Sequence, residues 1–529
     1  MEDKMPKTPT DEQKKAITCL GNTVITARPG SGKTFTISLK IAEESKTLLP
    51  FQGIIAISYT GKASDELKTR CEHLGTKRNS SFFGTIDSFC VREIINPFLS
   101  RYNGRKTLLE IEDGEQAGKQ TCSDPVSLAR YGLNTGKISV SLLCDAAIEI
   151  LKNVQSARRY IRTRYTSVYI DEYQDCGSAQ HELVMLLGSL GLRIVAVGDL
   201  DQAIFGWAGK SSEYLRQLVD NCDFSHFELT NNLRCHPSIV AYSLRLLGKK
   251  DISIENDDKR VFVAAVNGDE SDIANKIGEL IPKIKCKYDI TDSCEIAIIA
   301  RSKSTLDRIA DTLTVPYKQY ESCNLDKGFS KWKRVFRNLL QTYYSESRFF
   351  GDFVAQYFNN DAQTRKRKEC THLTQTFLAI DENHLSQTTQ IVKKIANLCE
   401  PNMSKPGDLE AYEEATANLD SLHKCYRQPR RDEISLLTYH KAKGLEFDAV
   451  FCLDTYQFVM PPYKYDEMPY DAFSESLSLH YVGITRARKV CYIPLARFRH
   501  NSKGGCHDAI PSEFLNREGL KDLRFDVQW

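Results

Sequence analysis

The chain has 529 residues, 41% of them apolar and 26% charged, with a formal net charge of +2. That is the balance of a soluble globular protein with room for roughly three or four ordinary domains, and it excludes a global basic field, so any nucleic-acid contact must be concentrated in a groove. No apolar run is long enough to span a bilayer, and Met1–Lys15 lacks the apolar core of a signal peptide; both point to a cytoplasmic protein with no membrane partner. The 17 cysteines form no CxxC pair and no zinc-like cluster, and read as reduced thiols in apolar surroundings.

In chain order, the first predicted strand is Thr23–Thr26, apolar on both faces. Gly53–Ser58, Ser167–Ile170 and Arg193–Val197 have the same character. Each is followed by a polar loop and a helix-like segment, which predicts a parallel sheet covered by helices. A second set begins at Glu295–Ala300, followed by an amphipathic helix from Lys303, and continues through Ile434–Leu437, Ala449–Leu453 and Val490–Pro494. The fold class is therefore α/β with two parallel-sheet cores. The stretches 91–160 and about 345–430 carry no strand signal and read as helical insertions, one in each core. The basic run Arg365-Lys366-Arg367-Lys368 reads as a solvated helix face.

The strand ending at Thr26 runs into Ala27-Arg28-Pro29-Gly30-Ser31-Gly32-Lys33-Thr34, which opens a helix. This is a phosphate-binding loop with Ala in place of the first Gly. Its backbone N–H groups and the helix N-terminus suit phosphates, and Gly30 and Gly32 allow close backbone approach. Lys33 is placed to reach the β- and γ-phosphates, and the Thr34 hydroxyl to ligate Mg²⁺. Val168-Tyr169-Ile170-Asp171-Glu172 ends another buried strand in two carboxylates. A carboxylate there is predicted to lie beside the phosphate loop. Asp171 would hold Mg²⁺ and Glu172 would polarise the attacking water; unpaired, such charges would be costly at the end of an apolar strand.

These motifs belong to an ordered series that resembles the UvrD/Rep/PcrA family of superfamily 1 DNA helicases. Pro9-Thr10-Asp11-Glu12-Gln13 looks like the adenine-reading motif that precedes the loop. Ile57–Ala63 and Gly84–Phe89 resemble motifs Ia and Ib. Asp171–Asp175 resembles motif II, Val197–Trp207 motif III and Leu229–Arg234 motif IV. Thr438–Phe447 and Tyr481–Arg488 resemble motifs V and VI. The resemblance implies two RecA-like P-loop NTPase cores, each with a short, mainly helical insertion. The first core would be 1–90 with 161–235, carrying the insertion 91–160; the second would be 236–345 with 431–529, carrying 346–430.

It also implies ATP and Mg²⁺ as cofactors. Gln13 would read adenine, and Gly30, Ser31, Gly32, Lys33 and Thr34 would hold the phosphates. Glu446 would bind the ribose, and Thr34 and Asp171 the metal. Glu172, Gln202, Arg234 and Arg486 would carry catalysis: Gln202 senses the γ-phosphate, and the two arginines act on it as fingers. Tyr59, Phe205 and Trp207 would stack on bases, while Thr60, Lys62, Thr85, Thr438 and His440 would touch phosphate and sugar. The implied activity is ATP-driven 3′→5′ translocation on single-stranded DNA and unwinding at single/double-strand junctions.

The chain departs from the family pattern at Gly61, Asp87, Ala208 and Leu233, which stand where Asn, His, Arg and Tyr are usual. A carboxylate at position 87 repels a phosphate, and Leu233 offers adenine only an apolar cover. Both insertions are short, and no nuclease-like constellation is evident. In this compactness the chain resembles the helicase subunit of the Gabija anti-phage system, which works beside a nuclease partner. That opens an alternative: an ATPase that senses DNA ends and licenses a partner nuclease without processive unwinding. The residues leave an RNA track open as well.

Overall fold

The computed structural model describes residues 8–58, 61–76, 80–104, 109–112, 124–200, 212–249, 258–326, 330–345, 348–358, 364–463, 470–501 and 503–529. The chain divides into two compact units, Met1–Asn267 with Ala442–Trp529, and Gly268–Lys441.

The first unit opens with strands β1 (Thr23–Ala27), β2 (Gly53–Ile57) and β3 (Phe82–Gly84). A helical stretch follows, interrupted by β4 (Glu110–Glu112) and β5 (Lys137–Ser139). Then come β6 (Tyr165–Ile170), β7 (Arg193–Gly198) and β8 (Ser225–Leu229). Six of these strands form an all-parallel sheet in the order β3-β2-β6-β7-β1-β8. β1 and β2 are buried along their whole length, as expected of Val- and Ile-rich strands covered on both faces. One core on this sheet is built from Ile25, Ile37, Ile41, Ile54, Val195 and Val197.

The stretch 91–160 and β8 differ from the sequence reading. The stretch 91–160 is not wholly helical, because β4 and β5 pair in a small parallel ladder. Lys137 ion-pairs there with Glu110 and Glu112, at 3.1 and 3.2 Å; each strand is three residues long with one isoleucine flanked by polar residues, too short for an apolar signature. β8 is an edge strand with only Leu229 buried, so it too offers no apolar run to read.

β9 (Val261–Val266) completes this part of the first unit. The second unit begins with the helix Glu270–Lys287, then β10 (Ile296–Ala300), the helix Lys303–Thr312 and β11 (Tyr317–Gln319). Its later strand, β12 (Ile434–Thr438), lies between β11 and β10, parallel to both. From Lys331 to Tyr426 the described residues form helices and turns with no strand. They share a core in which Trp332, Phe336, Tyr343, Phe353, Phe377 and Tyr412 are buried.

The chain then returns to the first unit with β13 (Phe447–Cys452), the helix Tyr470–Ile484 and β14 (Ala487–Ala496). A hairpin of β15 (Phe498–His500) and β16 (Cys506–Asp508) follows, and β17 (Phe525–Gln528) ends it. β13, β14, β9 and β17 run parallel in that order. No helix among the described residues is long and apolar enough to cross a membrane, and every described cysteine is a free thiol.

Candidate nucleotide-binding site

The site lies at the carboxyl ends of β1, β6 and β7. β7 stands between β1 and β6, so the acidic strand end and the phosphate loop face each other across the end of a third strand. The loop leaves β1 and enters the helix Lys33–Ser45. Gly30 and Gly32 take φ of +73° and +80°, and a Cβ on Gly32 would lie 2.7 Å from Gln13 Nε2. The loop therefore needs glycine for both conformation and clearance, which fits a backbone cradle for phosphate at a helix N-terminus.

Gln13 is buried, with 1% of its surface exposed, and both ends of its amide are engaged. Thr10 N donates to Oε1 at 2.9 Å, and Nε2 donates to Ser31 O at 2.9 Å. This residue caps its own helix, Asp11–Thr18, and pins that helix to the loop. Contact with a base would require exchanging these bonds.

Lys33 is half-buried, and no described residue hydrogen-bonds or ion-pairs with its ammonium. Burial alone would lower its pKa, yet the charges of Glu172, Asp199 and Asp171 raise it above the usual lysine range. The cation is set among carboxylates that it does not touch. Thr34 Oγ1 lies 3.4 Å from Asp171 Oδ2, so two hard oxygen donors converge beside the loop, the donor chemistry Mg²⁺ prefers. Burial and the adjoining Glu172 charge push the Asp171 carboxyl up. Burial acts on Glu172 the same way, but Lys33, Lys443, the bond from Gln174 and Arg486 outweigh it and hold Glu172 down. Glu172 also takes φ of +57°, a strained conformation for a non-glycine residue. It turns the chain from β6 directly into the short helix Tyr173–Asp175.

Arg234 lies against the loop. Asn232 Nδ2 donates to Pro29 O at 2.7 Å, Leu233 N donates to Gly30 O at 2.8 Å, and Asn232 Oδ1 accepts from Arg234 N at 2.8 Å. Arg234 Nε is ion-paired with Glu446, so the predicted finger is held by the predicted ribose ligand. Arg486 is 2% exposed and, among the described residues, donates only to neutral acceptors: Val482 O at 3.0 Å, Leu445 O at 3.2 Å and Thr485 Oγ1 at 3.3 Å. Burial and the neighbouring Arg234 lower it to about 10, so it stays charged at neutral pH. Both guanidiniums share one unit with the loop and the acidic pair.

The structure adds residues that the sequence reading left without a role. Lys443 ion-pairs with Asp175 at 2.5 Å, a contact between residues 268 positions apart that no local pattern could reveal. Gln174 and Asp199 lie beside Glu172 and Lys33. Among the predicted nucleic-acid contacts, Thr85 caps the helix Ile86–Phe89, its hydroxyl accepting from Ser88 N at 3.3 Å. Thr438 ends β12 and His440 follows it, both in the second unit. Lys62 lies in the helix Gly61–His73. Tyr59, Thr60, Gln202, Phe205 and Trp207 lie outside the described residues.

Comparison with known proteins agrees with this geometry. The family model for the UvrD/REP helicase N-terminal domain matches residues 9–130 and 126–223, and that for the UvrD-like helicase C-terminal domain matches residues 318–497. The Gabija protein GajB of Bacillus cereus is 27% identical, over 88% of this chain and 92% of its own. The ATP-dependent DNA helicase PcrA of Staphylococcus epidermidis is 24% identical, over 98% of this chain and 87% of its own. DNA helicase II of Haemophilus influenzae is 23% identical, over 97% and 88%. The parallel sheets flanked by helices are the RecA-like cores of that family, and the chain belongs to the UvrD-like helicases.

Proposed function

We propose that the chain is an ATP-driven translocase on single-stranded DNA, with 3′→5′ helicase activity at single/double-strand junctions. The observation that carries this reading is the Lys33 ammonium, bonded by no described residue and set between the phosphate loop and the carboxylates Asp171, Glu172 and Asp199, with Arg234 and Arg486 in the same unit. The loop amides and Lys33 would hold the β- and γ-phosphates. Thr34 and Asp171 would hold Mg²⁺, which when bound neutralises phosphate charge. Glu172, kept ionised by its cationic neighbours, takes the proton of the attacking water as the new O–P bond forms and the bond to the β–γ bridging oxygen breaks. Arg234 would leave Glu446 to meet the γ-phosphate, freeing that carboxylate for the ribose. Arg486, bonded among the described residues to neutral groups, can exchange a carbonyl for a phosphate oxygen without breaking an ion pair. Guanidinium groups so placed stabilise charge that develops in the transition state. Direction along the strand is that of the family.

A second reading draws support from the relative GajB and from the short insertions: an ATPase that senses DNA ends and licenses a partner nuclease. ATPase assays with and without single-stranded DNA, together with strand displacement from 3′- and 5′-tailed duplexes, separate the two. DNA-stimulated turnover with displacement from 3′ tails alone supports the translocase. Stimulation with neither displacement nor clearance of streptavidin from a DNA end supports the sensor. Trp207→Ala is expected to weaken DNA stimulation and leave basal turnover intact.

A further inference from the structure

Glu172 is the group on which hydrolysis depends in the reading above, yet its backbone conformation gives it no natural anchor. It sits in the left-handed region, and its side chain leaves the end of β6 without a turn of regular helix to support it. Among the described residues, one neutral side chain hydrogen-bonds its carboxylate. Gln174 Nε2 donates to Glu172 Oε2. The other end of the same amide is also engaged, because Asp199 N donates to Gln174 Oε1 at 2.9 Å. Gln174 is fully buried, and the two bonds leave its amide little freedom to turn.

Space around it is equally restricted. A Cβ on Gly198 would lie 2.5 Å from Gln174 Oε1 and 2.8 Å from Leu215 Cδ2, so the end of β7 must be glycine for the amide to reach Asp199 N. The bridge joins the carboxyl ends of two neighbouring parallel strands, β6 and β7. Asp199 is where the chain leaves β7, and its carboxylate is one of the charges acting on Lys33. Gln174 thus connects the base to the strand end that shapes the γ-phosphate side of the site.

We infer that Gln174 is a positioning residue that fixes the Glu172 carboxylate and ties it to the end of β7. It touches neither nucleotide nor water in this role. The inference rests on Glu172 being the base of the proposed ATPase.

Two variants of the full-length chain test it. Gln174→Met keeps the volume and breaks both bonds. Gln174→Glu keeps the acceptor for Asp199 N and replaces the donor to Glu172 with a second carboxylate; it protects against the case in which Gln174→Met fails to fold. Both are expected to lower kcat for ATP by about tenfold or more, as loss of alignment at a reacting centre does. The dissociation constant of a fluorescent ATP analogue should stay within about twofold, a split that general loss of structure would not produce. Wild-type kcat in both variants overturns the inference. So does a loss confined to Gln174→Met, which would assign the effect to the Asp199 side alone. Glu172→Gln is the control. If it still turns over ATP, the proposed function itself fails. If it is inactive while both Gln174 variants hydrolyse normally, only the role of Gln174 fails.

Discussion

The helix Lys33–Ser45 carries lysines at two places, one half-buried and one buried, and they are treated in opposite ways. At its start, Lys33 stands among three carboxylates, bonds to none of them, and is raised above the lysine range. Two turns later Lys40, 3% exposed, donates to the carbonyls of Ala16 at 2.9 Å and Ile17 at 3.2 Å, and to Cys19 O. Burial pulls that lysine down to about 8. At the end of the helix, Glu44 accepts from Thr166 Oγ1 and Ser167 Oγ at 2.9 and 2.7 Å and pairs with Arg193. Lys40 and Glu44 are fasteners whose hydrogen-bonding capacity is met inside the protein. Lys33 is charge held in reserve, in a field built by residues it does not bond, as a site for an anionic ligand requires.

The largest expected effect breaks the reserve end. Lys33→Ala should abolish measurable ATP hydrolysis and leave the thermal midpoint of the free protein nearly unchanged. A variant that still hydrolyses would place the nucleotide elsewhere. Next, Arg486→Ala should keep ATP binding and lose about 10³-fold in turnover, the lower end of an arginine finger's contribution; normal turnover would remove Arg486 from the reaction.

The fastener end should behave in the opposite sense. Lys40→Met is expected to leave the kcat for ATP unchanged and to destabilise the fold by about 2 kcal/mol in denaturant titration, because buried carbonyls lose their donor. If kcat fell with unchanged stability, the two lysines would not be the contrast they appear on geometry.

An effect of similar size extends the contrast to histidine. His480 is fully buried, its ring nitrogens have no hydrogen-bond partner among the described residues, and burial together with Arg524 lowers its pKa to about 3. A folded-state value below the unfolded one means the unfolded chain binds the proton first. The stability is fully present above about pH 6.5 and is lost as pH falls toward the folded value. Between pH 7 and pH 5 the loss from this residue is on the order of 2 kcal/mol. His480→Phe should reduce the pH slope of unfolding by that amount; an unchanged slope would show that His480 binds no extra proton on unfolding.

Much of this arrangement was legible in the chain. The strands Thr23–Thr26, Gly53–Ser58 and Arg193–Val197 were readable because a parallel strand covered on both faces must be apolar throughout. The phosphate loop and the Asp171-Glu172 pair were readable because each is contiguous. β8 and β17 escaped because edge strands with exposed side chains carry no apolar run.

What the amino-acid order determined by itself was chemistry confined to one segment: glycines where the backbone must turn, a lysine at a helix start, carboxylates at a strand end. Tertiary structure alone decided which distant groups share a charge. It set Lys443 on Asp175 and Arg234 on Glu446, and joined Glu172 through Gln174 to Asp199. Coulombic and hydrogen-bond energies depend on separation in space, so partners brought together by crossing strands leave no periodicity or spacing in the sequence.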